Sequence, residues 1–161
     1  MRASDLVAQA RERLRGTPRV ALGDWASARR LLGFGRAPRI VPVGEAWAVG
    51  VLLVADEQLF AEGEVVRARE DAIRGYTAES QRARADRAAA AFRGGFPEGA
   101  FVHIGWQEID LDVVDAGGPS GPLSVVGGVP HVRWSAAGGT RPLADYLDEQ
   151  IALRSGGAPG A

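Results

Sequence analysis

Ala3, Val7, Ala10 and Leu14 recur at helical spacing and predict a first amphipathic helix over about 4–15, capped by Ser4 or Asp5 and stopped by Gly16. The stretch GDWASARRLLGFG, residues 23–35, predicts a second short helix, with Asp24 as cap, Trp25, Ala28 and Leu32 facing inward, and Gly33 ending it. The pattern then changes period. RIVPV (39–43), AWAVGVLLVA (46–55) and QLFAEGEVVRA (58–68) are rich in valine and aromatic residues, and Gly44-Glu45 and Asp56-Glu57 fall between them as tight connections. These three segments are expected to form an antiparallel meander, the middle one central and covered on both faces, with a bulge at Gly63 in the third.

A third helix is expected from Thr77 to about Arg93, with Ala85, Ala88, Ala89 and Phe92 inward and Glu79, Arg82, Asp86 and Arg93 outward. FVHIGWQEIDLDVVD (101–115) reads as a fourth strand, in which Val102, Ile104 and Trp106 share one face. The turn-rich loop DAGGPSGP follows, then a hairpin of LSVV and HVRW around GGVP, and a last helix opened by Thr140 and Pro142 with Leu143, Leu147 and Ile151 on its buried face. The fold class expected is α+β: a single domain over 1–154 with a mainly antiparallel sheet, N-terminal helices, a three-stranded meander, an alanine-rich helix, further strands and a C-terminal helix. Helices should lie mostly on one sheet face, and 155–161 form a flexible C-terminal tail.

Composition removes whole classes of chemistry. The chain of 161 residues has no cysteine, which excludes disulfides, thiolate nucleophiles and cysteine metal sites. It has no lysine either, so its 19 cationic side chains are all arginine, and Schiff-base chemistry and the phosphate-loop lysine are excluded. The N-terminus is charged throughout, and the longest apolar run, residues 46–55, is far short of the roughly 20 residues of a membrane-spanning helix. A soluble, cytoplasmic protein without a membrane partner is expected.

Charge is uneven along the chain. Residues 1–39 hold nine arginines against Asp5, Glu12 and Asp24, a balance of +6; with the whole chain at −1, the remainder carries −7. The basic segment is expected to pair with the acidic remainder, within the chain or across a homodimer. Nucleic acid is disfavoured because no reader motif accompanies the charge.

Candidate chemistry is sparse. Glu108, Asp110 and Asp112 would share one strand face about 7 Å apart, but alternation of this kind is what any half-exposed strand shows, and no metal site is expected. His103 and His131 are the only histidines, and they could approach one another if their strands paired. His103, Glu108 and Tyr76 are the candidate proton-transfer groups. Arg67, Arg74 and Arg82, in RAREDAIRGYTAESQRAR (67–84), surround a strand-to-helix connection and are the candidate anion-binding groups. GFGRAP and GPSGP start like a dinucleotide turn and a nucleophile elbow, but Pro38 and Pro122 stand where each motif needs glycine. No cofactor is implied. The leading functional expectation is a non-catalytic binding or protein-interaction module, partnered by itself or another protein; the alternative is a small enzyme or sensor domain that binds an anionic metabolite through the Arg67–Arg84 region.

Overall fold

The computed structural model describes residues 1–26, 37–70 and 78–156. It is α+β, with strands that pair mostly antiparallel. Contacts divide it into two compact units, one of Met1–Arg19, Ala46–Glu62 and Gln107–Ala161, the other of Val20–Glu45 and Gly63–Trp106.

In the first unit, α1 (Ala3–Leu14) buries the stripe read from the sequence, with Ala3, Val7, Ala10 and Leu14 all sealed from solvent. Its N-terminus is held by Asp115, whose carboxylate accepts from the Ser4 backbone N–H at 3.2 Å and from the Ser4 hydroxyl. Asp5 instead reaches back to the Arg2 N–H. The stripe packs against Trp47, Leu52, Leu59, Leu123, Leu143 and further apolar side chains in one core.

The segment expected as one central strand, 46–55, is a hairpin. β2 (Ile40–Val49) runs straight through Gly44-Glu45, so that predicted connection is strand, and the chain reverses at Gly50 before β3 (Leu52–Val54). Gly50 has φ +59°, and a Cβ there would lie 1.8 Å from the Tyr146 hydroxyl, so both conformation and space require glycine. β4 (Leu59–Ala61) pairs with β3 across the Asp56-Glu57 connection.

Beyond Gly63 the chain leaves this pairing. Its β5 (Glu64–Arg67) belongs to the second unit, so the expected third strand is two strands with different neighbours. Gly63 marks a close backbone approach, since a Cβ would meet the Ile104 carbonyl oxygen at 2.3 Å.

The predicted strand 101–115 is also divided. β6 (Phe101–Ile104) ends at Gly105, φ +68°; β7 (Gln107–Glu108) pairs with β4; and α3 (Leu111–Asp115) begins where the Asp110 carboxylate accepts from the N–H groups of Asp112 and Val113. Asp110 is a helix cap, which dissolves the expected row of carboxylates. The following loop is pinned by Ser120, whose hydroxyl accepts from the Asp110 N–H at 2.8 Å and whose backbone exchanges bonds with Leu123.

β8 (Leu123–Val126) and β9 (Val129–Arg133) form the expected hairpin, with Gly127 and Gly128 both at positive φ in the turn. Thr140–Pro142 is a third strand, β10, on β9 rather than the first turn of the last helix. The last helix, α4, is Leu143–Ser155 and buries Leu143, Tyr146, Leu147 and Ile151.

The second unit corrects the second predicted helix. Val20–Trp25 is a strand, β1, and Trp25 is 46% exposed; the rest of the predicted helix, from 27, lies outside the described residues. β1 pairs in parallel with β6, and Gly23 lets the side chains of Val102 and Ile40 pass within 2.6 and 2.8 Å of where its Cβ would be. The unit's strand order is β5, β6, β1, β2, with β5 outermost. α2 (Glu79–Arg93) covers one face, burying Ala88, Ala90 and Ala91 in a core with Val66, Val102 and Ile104. Ala85, Ala89 and Phe92 are only half-buried, whereas Glu79, Arg82, Asp86 and Arg93 face solvent as expected.

Candidate functional site

The register of β5 on β6 decides which side chains meet. Val65 lies opposite His103 and Arg67 opposite Phe101, while Glu64 and Val66 lie opposite Ile104 and Val102. Because strand side chains alternate, Val65, Arg67, Phe101 and His103 share the face away from α2. On this face Val65 is 53% exposed and Phe101 62%. The Arg67 guanidinium stands 5.5 Å from the Phe101 ring centroid, and its Nε donates to the Gly99 carbonyl at 3.4 Å. His103 is half-buried, and that burial pushes its pKa below the usual histidine value, favouring neutral imidazole.

No carboxylate of β5 or β6 lies on this face. Glu64 points to the other side and accepts from the Nε of Arg87 on α2 at 2.7 Å. On these two strands the face is therefore apolar and cationic, and the next carboxylate of that parity is the exposed Asp24 of β1.

The edge of β5 carries a second feature. Ala68 donates to Ala100 at 2.8 Å, and Gly99 donates back to Ala68 at 2.7 Å, which fixes the parity of the ladder. Alternation then turns the N–H and C=O of Val65 and Arg67 outward, away from β6. Among the described residues none bonds to them. The next outward N–H, that of Arg69, donates to the Ala88 carbonyl of α2 at 3.1 Å, so the open stretch ends there.

Of the candidate residues that the structure describes, Arg67 and His103 share this face, and Arg82 and Glu108 do not. Arg82 sits on α2, which packs on the opposite face of β5 and β6. Glu108 is exposed on β7 opposite Phe60, in the other unit. His131 is on β9 between Ser124 and Pro142, so the strands of the two histidines do not pair. Arg74 and Tyr76 lie outside the described residues. Among the described residues, no group of three histidine, aspartate or glutamate side chains is arranged to hold a metal ion.

Five of the N-terminal arginines are engaged within the chain. Arg2 pairs with Asp5 at 3.3 Å, Arg15 with Glu12 at 2.9 Å and Arg13 with Asp148. Arg19 pairs with Asp56 at 2.7 Å while its guanidinium lies 3.8 Å from the Trp47 ring centroid, and Arg11 donates to the carbonyls of Ala55 and Gln58. Arg69 meets Glu98 at 3.4 Å, and Glu98 also accepts from the Glu70 N–H.

Val65 and Phe101 were not singled out by their sequence positions. The available signal was alternation: EVVR and FVHI each place one apolar residue on the side opposite the core. No family model matches this chain, and no curated protein or solved structure matches it significantly.

Proposed function

We propose that this protein is a non-catalytic, protein-interaction module of the cytoplasm, and that it docks through the face of β5 and β6 formed by Val65, Arg67, Phe101 and His103. The observation that carries this reading is the presence of two largely exposed apolar side chains, Val65 and Phe101, diagonal to one another on the face of β5 and β6 opposite the one that α2 fills.

The competing reading, an enzyme or sensor for an anionic metabolite, is separated from this one by a thermal-shift screen against anionic metabolites, nucleotides and divalent cations. A specific ligand at about a hundred times its Kd stabilises by about 2.7 kcal/mol, which raises the midpoint by several degrees. The interaction-module reading predicts no such shift. A shift that disappears in the Arg67→Ala/Arg82→Ala variant would overturn it in favour of the metabolite.

A further inference from the structure

We propose that the outer edge of β5 receives an extended segment of a partner protein as an added strand, and that this segment places an apolar residue beside Val65 and an acidic residue beside Arg67. The inference rests on the interaction-module reading and specifies its partner.

Three observations converge on it. The backbone N–H and C=O groups of Val65 and Arg67 point outward, and no described residue takes them, so an incoming strand finds donors and acceptors already in strand geometry. The two side chains flanking those groups are on one face, two residues apart, and one is apolar while the other is cationic. The face holds no carboxylate of β5 or β6 to compete for Arg67, whose guanidinium is steadied by the Phe101 ring and the Gly99 carbonyl. Charge complementarity therefore selects an acidic residue, and the pleat sets its spacing from the apolar one.

A second copy of the chain fits less well. Antiparallel pairing of β5 with itself matches residues of equal parity, so Val65 can stand opposite Val65 or Arg67 of the copy, and Glu64, on the other face, never meets Arg67.

The test is an amide chemical-shift titration of the full chain with a synthetic peptide of serine and threonine that carries one valine and, two residues on, one glutamate. A counterpart peptide carries lysine in place of the glutamate. Expected are shifts centred on Val65 and Arg67, and a preference for the acidic peptide of roughly fivefold. Arg67→Glu should reverse that preference. Val65→Pro, which removes an N–H the ladder does not use, should weaken binding of both peptides about tenfold while the thermal midpoint is kept. The proposal is overturned if the shifts do not map to β5, if Val65→Pro binds as well as the parent, or if sedimentation shows a dimer that Val65→Pro dissociates, which would assign the edge to a second copy. Should Val65→Pro fail to fold, the Arg67→Glu reversal decides alone. Failure here with a silent small-molecule screen removes only the added-strand mode, whereas a ligand found in that screen removes the module reading itself.

Discussion

Histidine 103 stands between Val65 and Leu22 on neighbouring strands, and half-burial there lowers its pKa. As pH falls, the unfolded chain takes up this proton first, so protonation favours unfolding. The contribution of the neutral imidazole to stability is complete above about pH 6.5 and is lost as pH falls through the lower folded-state value. Replacing the imidazole with an amide that does not titrate removes the effect. Urea midpoints measured near pH 7.5 and near pH 5 should therefore fall less in His103→Gln than in the parent, and equal falls would show that the imidazole is solvated as in a free peptide. Tyr146 shows how little of such a role is visible in a lone residue. Its hydroxyl accepts from the Val51 N–H at 2.8 Å across 95 positions of sequence, and that bond fixes the turn at Gly50.

Among the elements, β5 makes the sharpest prediction because its two backbone edges differ. The N–H of Val66 faces β6, whereas that of Val65 faces outward. Proline at 66 should cost on the order of 2 kcal/mol or more, through the lost ladder bond and the disturbed packing of a buried residue, while proline at 65 should leave the urea midpoint nearly unchanged. Similar losses for both would mean that the parity assigned to the ladder is wrong. The helices were legible in the sequence where their stripes are regular, as in α1 and along the Leu143, Leu147 and Ile151 face of α4. The strands were less so, because an apolar run looks the same whether it is one covered strand or a hairpin whose halves are both buried, as β2 and β3 are around Gly50. In 101–115, the alternation continued past the point where Gly105 and the Asp110 cap end the strand. The β1 strand was missed because GDW has the letters of a helix cap, and only its pairing with β6 gives Gly23 another purpose.

For the molecule as a whole, the uneven charge of the sequence is met in part within the chain, since among the described residues Arg13 meets Asp148 and Arg19 meets Asp56. These pairs lie mostly in solvent and contribute little individually to stability. What remains distinctive is the cationic, apolar face of β5 and β6, and the sequence placed only Arg67 and His103 among its candidates because the other half of the face, Val65 and Phe101, has no chemistry to advertise it. The most direct measurement is amide hydrogen exchange of the intact chain, alone and with the glutamate-bearing peptide. In the free protein, Val65 and Arg67 should exchange much faster than Val66, and the peptide should slow those two amides while Val66 stays protected throughout. Fast exchange at Val65 and Arg67 that the peptide leaves unchanged would contradict the docking surface described here.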